Sequence, residues 1–155
     1  MDTHQTIIST SAEATENFGR QMADRQIKRW TDHSPDPHIF CLFGDLGSGK
    51  TTFTRGFAGA LGIISRLLSP TFLLAKRYST RYEDTYLYHL DIYRTASDSD
   101  LIGIGLPEIM SDPRNCVLIE WAEKLGSLRP KARTDIRFTV MKDGSHTIDV
   151  DTYEQ

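Results

Sequence analysis

The chain has 155 residues, of which 39% are hydrophobic, and this is enough to form a buried core. Its 18 basic and 21 acidic residues give a net charge of −3, which excludes a protein that binds nucleic acid through a globally basic surface. No apolar stretch is long enough to span a bilayer, so no membrane partner is expected.

The first residues and the cysteines bear on the cellular compartment. Residues 1–5 have neither the basic region nor the apolar region of a secretory signal. Cys41 and Cys116 adjoin strand-like runs, where a free cysteine behaves as a small hydrophobic residue. The five histidines show no metal-ligand spacing. We therefore expect a cytoplasmic protein whose cysteines are reduced and buried.

A short strand and a long helix are the first elements that the sequence predicts. Residues 6–8 are typical of a strand. Thr10 and Glu13 have the spacing of a capping box, so we expect Thr10 to cap a helix whose apolar face includes Phe18 and Met22. The polar and proline-containing residues 31–37 indicate a connector.

The most specific local pattern is Gly-Asp-Leu-Gly-Ser-Gly-Lys-Thr at residues 44–51, which fits the phosphate-binding template G-x-x-x-x-G-K-[ST]. A continuous apolar run at residues 39–43 precedes it, as expected of a strand buried on both faces. Phe53, Phe57 and Leu61 follow it at helical spacing. A glycine-rich turn in this context directs backbone N–H groups and the positive end of a helix at phosphate oxygens. The pattern therefore indicates a nucleoside triphosphate site, in which Lys50 contacts the phosphates and Thr51 ligates Mg²⁺.

The remaining elements complete a mixed α/β pattern. Pro70 interrupts residues 67–74, which are predicted as a loop that leads into a strand, and residues 95–107 are predicted as an irregular acidic loop. Two more strands are expected at residues 86–91 and 116–120, and a β-hairpin at residues 136–140 and 147–150. We predict one P-loop NTPase-like ATPase domain over residues 1–155, with a partly parallel central sheet flanked by helices and a C-terminal β-hairpin.

Two carboxylates compete for the second protein contact to Mg²⁺. Asp91 and Glu120 each end an apolar strand, and the local pattern does not separate them. His89 would share one side of its strand with Asp91. Trp121 follows Glu120 directly, and it is expected to pack, to shape the nucleotide pocket or to present a partner surface.

Two features between these elements allow more than one reading. Thr71, in Ser-Pro-Thr, lies where a switch loop would sense the γ-phosphate, although an ordinary proline turn is the alternative. Lys76, Arg77 and Arg81 form a basic cluster, which is either a solvated face or a docking patch for an acidic partner or RNA.

Four segments together resemble the TsaE family, the bacterial ATPases of tRNA threonylcarbamoyladenosine biosynthesis. They are the phosphate loop with Thr52, Ser-Pro-Thr-Phe at residues 69–72, His-Leu-Asp-Ile-Tyr-Arg at residues 89–94, and Ile-Glu-Trp-Ala-Glu-Lys-Leu at residues 119–125. The phosphate loop is generic, whereas the second pair of segments is far more specific. Residues 95–100 differ from many relatives because they are acidic without glutamate.

The resemblance implies a role for each matched position. It favours Glu120 over Asp91 as the Mg²⁺ ligand beside Thr51, assigns Asp91 to the attacking water, and puts Thr71 in a switch region. Thr10 resembles, more weakly, a position near the adenine. The implied ATP-binding residues of the loop are Asp45, Leu46, Gly47, Ser48, Gly49, Lys50, Thr51 and Thr52. The implied partners are the TsaB and TsaD proteins, which modify an adenosine beside the anticodon of ANN-decoding tRNAs, so that tRNA contact is indirect or weak.

Two other functions are weighed against this one. A small-molecule kinase needs an acceptor pocket and usually an arginine-bearing lid, and residues 95–107 contain no arginine. An ATP-gated adaptor with little catalysis overlaps with the family's role. A GTPase is disfavoured because the sequence lacks an Asn-Lys-x-Asp motif.

Overall fold

The computed structural model describes residues 2–34, 38–64, 75–92 and 97–154. Two predictions, the loop at residues 67–74 and the switch residue Thr71, lie outside these ranges. None of the described helices combines the length and the apolar character that a bilayer span requires.

Seven strands and four helices make up the described fold. The strands are β1 Thr3–Ser9, β2 His38–Phe43, β3 Ala75–Ser79, β4 Tyr86–Asp91, β5 Asn115–Glu120, β6 Arg133–Val140 and β7 His146–Tyr153. The helices are α1 Ala12–Thr31, α2 Lys50–Ala60, α3 Asp98–Gly103 and α4 Leu106–Ser111, and a 3₁₀ segment covers Ala122–Leu128.

All seven strands form one sheet in the order β1-β7-β6-β2-β5-β4-β3. The central strands β6, β2, β5 and β4 are parallel, and the outer pairings are antiparallel. The predicted α/β fold with a partly parallel sheet and a C-terminal hairpin is therefore confirmed. Because parallel strands end at the same edge, the loop after β2 and the carboxylates that end β4 and β5 come together there.

The two faces of the sheet bury different helices. On one face, α1 and α2 pack through an aromatic cluster in which the Phe53 ring lies 5.8 Å from Phe18 and 5.5 Å from Phe138, measured between centroids. On the other face, α3, α4 and the 3₁₀ segment bury Leu101, Leu106 and Leu125 against the central strands. Strand β2 lies between both layers, which explains its continuous apolar sequence.

The structure corrects the predicted start of the first helix. Ser11, not Thr10, is the N-cap residue, because its Oγ accepts a hydrogen bond from the Ala14 amide at 3.0 Å. Ser11 has extended backbone angles, as an N-cap residue requires. The helix itself and its buried face, including Phe18 and Met22, are as predicted.

One further prediction of secondary structure is wrong. Residues 95–107 are not wholly irregular, because α3 lies within them and α4 begins there. The missed signal is a capping box, in which the Ser97 side chain accepts from the Asp100 amide and the Asp100 carboxylate accepts from the Ser97 amide.

The basic residues Lys76 and Arg77 lie on the edge strand β3, where their cationic groups pack over the rings of Tyr78 and Tyr86.

Helices α1 and α2 touch through their backbones at two glycines. A Cβ atom added to Gly19 would overlap the carbonyl oxygen of Phe53, and one added to Gly56 would overlap that of Glu16. Only residues without a side chain allow this approach. The two glycines therefore set the spacing between the helices.

We expect Gly56→Ala to lower the free energy of unfolding by about 1–3 kcal/mol, because the added methyl group must push the helices apart. Gly59→Ala is the matched control on the same helix, since a Cβ atom there meets nothing within 4 Å. Gly59→Ala should raise the free energy of unfolding by about 0.5–1 kcal/mol through helix propensity alone. Urea unfolding measures both values, and equal values for the two variants would contradict the close approach.

His38, at the start of β2, is a buried histidine far from the phosphate loop. The residue is 6% exposed, and its Nε2 lies 3.1 Å from Thr134 Oγ1. Burial lowers the pKa of His38 from 6.5 to about 3, and the positive charges of Arg29 and Arg25 act in the same direction. The folded protein therefore holds this ring neutral at a pH where the unfolded chain protonates it.

We expect His38 to make the protein less stable as the pH falls below 6.5, because the unfolded state then binds a proton that the folded state does not. The loss is about 1.4 kcal/mol per pH unit for one such group. His38→Gln, which cannot titrate, should flatten this dependence in urea unfolding between about pH 7 and pH 5. An unchanged slope would show that His38 is not the group responsible.

Candidate functional site

The loop after β2 curls tightly and opens directly into α2. Gly47 and Gly49 have φ angles of 79° and 111°, which favour glycine. Gly49 is the N-cap of α2, no described side chain caps the helix, and its first turn contains no acidic residue. The free amides and the positive end of the helix dipole are therefore left for an anion.

Lys50 is the cation of this site. The residue is 5% exposed, its Nζ donates a hydrogen bond to the Gly44 carbonyl, and the same atom lies 3.8 Å from the centroid of the Trp121 ring. Burial lowers the pKa of Lys50, and the carboxylates of Glu120 and Asp91 are among the groups that oppose this shift. The ammonium group thus sits in an acidic, partly dry environment.

Glu120 ends the strand next to β2 and points to the same side as the phosphate loop. In the register of the sheet it pairs with Leu42 on one side and with Asp91 on the other. Glu120 is 7% exposed, and its Oε2 accepts a hydrogen bond from His89 Nε2 at 2.8 Å. Two carboxylates, a histidine and a lysine therefore meet at one edge of the sheet.

Trp121 adopts a backbone conformation that is uncommon for a residue other than glycine. Its φ and ψ angles are 60° and 40°, in the left-handed region. This turn follows Glu120 immediately and brings the indole ring against Lys50. Backbone strain of this kind is concentrated at functional sites.

A cavity of about 1010 Å³ joins these groups. Among the residues predicted for the site, those that line the cavity are Thr10, Leu46, Gly47, Gly49, Lys50, Thr51, Thr52, Asp91, Glu120 and Trp121. Asp45 and Ser48 belong to the loop but are not part of the lining. The Ser48 residue is 1% exposed and its Oγ has no hydrogen-bond partner within the described ranges.

Comparison with known proteins decides the family. The family model described as "Threonylcarbamoyl adenosine biosynthesis protein TsaE" matches residues 9–148, which include α1, α2, the two carboxylates of the cavity, and β6 with the start of β7. The chain belongs to the TsaE family. This confirms the resemblance based on the four sequence segments and extends it beyond residue 125.

Individual relatives of this chain carry the name of the same family. A protein of Treponema pallidum is 40% identical over 112 residues, covering 72% of this chain and 80% of that protein. A protein of Rickettsia bellii is 34% identical over 140 residues, covering 90% of this chain and 88% of that protein. Both are named tRNA threonylcarbamoyladenosine biosynthesis protein TsaE. The crystal structure of Bacillus subtilis YdiB superposes with a TM-score of 0.77 at 27% identity, covering 99% of this chain and 88% of that one.

The structure adds residues to the site that the motifs do not contain. His146, at the start of β7, donates from Nδ1 to the Ser48 carbonyl at 2.6 Å and lines the cavity. Thr15 of α1 also lines it, and its hydroxyl lies 2.7 Å from Ser9 Oγ. No local pattern could single out these residues, because His146 reaches the site through the pairing of β7 with β1 and β6, and Thr15 reaches it through the packing of α1 against α2.

The donor groups of this TsaE-family site fit a cation that arrives with a phosphate ligand. Among the described residues, no group of three or more His, Cys, Asp or Glu could hold a metal ion by itself. Mg²⁺ usually takes one or two protein oxygens and completes its octahedron with phosphate and water oxygens. Glu120 and the exposed Thr51 hydroxyl, which both line the cavity, are suitable oxygens.

A second cavity of about 870 Å³ lies around His38 and Thr134, at the amino-terminal ends of β2 and β6. The sequence alone gave no sign of it. His38 begins the same six-residue strand whose other end leads into the phosphate loop, so roughly 15–20 Å separate the two ends. A molecule bound there is therefore too far away to accept a phosphoryl group at the first cavity.

Proposed function

We propose that this chain binds ATP with Mg²⁺ in the cavity of the phosphate loop and hydrolyses it in support of tRNA threonylcarbamoyladenosine synthesis, acting with TsaB and TsaD proteins. The observation that carries the nucleotide site is the uncapped start of α2 with Lys50, facing the buried carboxylate of Glu120 across one cavity. The family and the names of its members support the pathway.

The loop and Lys50 are assigned to the phosphates. The free amides at the start of α2 and the curled glycine backbone suit phosphate oxygens. Lys50 is held by a neutral carbonyl and an aromatic ring, and an anionic phosphate oxygen is a stronger partner for its ammonium group than either. We therefore assign Lys50 to the β- and γ-phosphates.

Thr51 and Glu120 are the residues that would hold Mg²⁺. The bound ion would neutralise charge on the phosphate oxygens. Glu120 suits this role better than Asp91, because β5 neighbours β2 directly whereas β4 is one strand further away. Strand order therefore supports the choice of Glu120 over Asp91, which the strand pattern alone left open.

Asp91 is assigned to the attacking water. It ends β4 on the same side as His89, is only partly buried, and lines the cavity. A carboxylate there can orient a water molecule and accept its proton. Thr71 remains the proposed switch residue on the basis of sequence alone.

A small-molecule kinase is less well supported. The second cavity is remote from the phosphate loop, and residues 97–107, which include α3, contain no arginine that could close over phosphates. Contact with tRNA is proposed to occur through the partner proteins.

The test of the proposed function is reconstitution of tRNA modification with purified TsaB and TsaD proteins, the threonylcarbamoyl donor, tRNA and ATP. We expect multiple turnovers only when this chain is present. Lys50→Ala should fail to restore turnover and should weaken ATP binding by about 2–3 kcal/mol, roughly 30- to 150-fold, because a charge-assisted hydrogen bond is lost.

Lys131→Ala is the control, since it removes the same charge at an exposed position near the second cavity. Calorimetric titration with ATP measures the affinities. Equal affinity of Lys50→Ala and wild type would remove Lys50 from the phosphate site. Turnover that is independent of this chain would overturn the proposed role.

Glu120→Ala and Asp91→Asn should separate binding from catalysis. We expect Glu120→Ala to lose most of the Mg²⁺ dependence of ATP binding, because a direct charge on the ion disappears. Asp91→Asn should bind ATP within about threefold of wild type but hydrolyse it about 10²- to 10⁴-fold more slowly in the reconstituted complex, as for loss of a general base. The opposite pattern would mean that the two carboxylates are assigned the wrong way round.

A further inference from the structure

The contact between His89 and Glu120 has no role in the function proposed so far. Both residues are almost fully buried, at 3% and 7% exposure, and Nε2 lies 2.8 Å from Oε2. They come from neighbouring parallel strands, and His89 is two residues before Asp91, the residue that pairs with Glu120. The sheet register therefore fixes the geometry of the contact.

The chemistry of the acceptor determines the direction of the hydrogen bond. A carboxylate can only accept, so Nε2 carries the proton and donates it. No described residue donates a hydrogen bond to the other oxygen of Glu120. One oxygen is thus held from the β4 side while the other stays available within the cavity that Glu120 lines.

Packing alone does not explain a histidine at this position. Its Nδ1 is buried and has no hydrogen-bond partner within the described ranges. An unpartnered buried nitrogen costs stability, which an apolar side chain of similar size would avoid. The property that distinguishes imidazole from such a side chain here is its Nε2–H group.

The nearby charge of Lys50 explains why Glu120 needs a hydrogen bond from His89. Burial lowers the pKa of Lys50, and the charge of Glu120 is the largest of the interactions that oppose this shift, so the two side chains attract each other. Without a second partner, the carboxylate would be drawn toward this nearby cation. A hydrogen bond from the opposite side fixes the rotamer of Glu120 and keeps the two charges separate.

We infer that His89 is a positioning residue, which orients the Glu120 carboxylate so that its free oxygen can ligate a divalent cation that enters with the nucleotide. The inference rests on the proposed function. It concerns only the cation, because His89 acts through Glu120 and not on the phosphates. Groups that hydrogen-bond a metal ligand commonly change metal affinity by 10- to 100-fold when they are removed.

The experiment measures ATP binding by calorimetry in EDTA and across a Mg²⁺ titration, for wild type and three variants. His89→Leu removes the donor and His89→Gln retains an N–H donor. His38→Leu is the matched control, since it removes another buried histidine with one side-chain hydrogen bond, at the far end of β2. Thermal melts of each variant report the loss of stability separately.

We expect His89→Leu to require about tenfold more Mg²⁺ for half-maximal tightening of ATP binding, with its affinity in EDTA within about twofold of wild type. His89→Gln should recover most of the difference, and His38→Leu should lower the melting temperature without moving the Mg²⁺ midpoint.

Three results would overturn the inference: an unshifted midpoint in His89→Leu, the same shift in His38→Leu, or an equal loss of affinity in EDTA. If His89→Leu does not fold, a midpoint for His89→Gln equal to that of wild type supports the inference, and a shift of tenfold or more contradicts it. Failure of wild type to bind ATP in either condition would instead refute the proposed function.

Discussion

The parallel pairing of β2, β5 and β4 is the constraint on which the site depends. Leu42, Glu120 and Asp91 lie side by side in this register, so the start of the phosphate loop and both carboxylates occupy one height at one edge. Side chains alternate between faces along a strand, and a slip of one residue would turn Glu120 toward α3 and α4. The apolar residues on both faces of β5 fix that register. The packing of the core therefore also determines the geometry of the site.

Charge within the site is arranged around Lys50. Burial disfavours the charged form of an ammonium group, and here the Gly44 carbonyl and nearby carboxylates, with Glu120 first and Glu123 second, act in the opposite direction. Trp121 adds the face of its ring, at the expense of an unfavourable backbone conformation. The strain lies directly beside the strand-end glutamate, where a straight continuation of β5 would carry the indole away from the lysine.

Much of this could be predicted from sequence, and the limits have physical reasons. The phosphate loop, the buried strand before it and the carboxylate strand ends are local patterns, because backbone geometry and burial dictate residue type at short range. Glu120 and Asp91 could not be ranked without strand order, which depends on pairing between distant segments. His146 reaches the loop through the last hairpin, and no short-range signal marks it. The predicted helix start is wrong by one residue because Thr10 and Ser11 are both residue types that favour the N-cap, and the spacing of Thr10 and Glu13 favours the wrong one.

The close approach of α1 and α2 at Gly19 and Gly56 has a consequence for how the cavity can change shape. Helix α1 contributes Ser11, Thr15 and Glu16 to one wall of the cavity, and α2 contributes Lys50 and Thr51 to the adjoining wall. Since the two backbones touch, we expect α1 and α2 to move together, so that the distance between these two walls stays fixed when a molecule binds. We therefore expect widening or tightening around a guest molecule to come from other lining residues, such as Trp121 and Gly144.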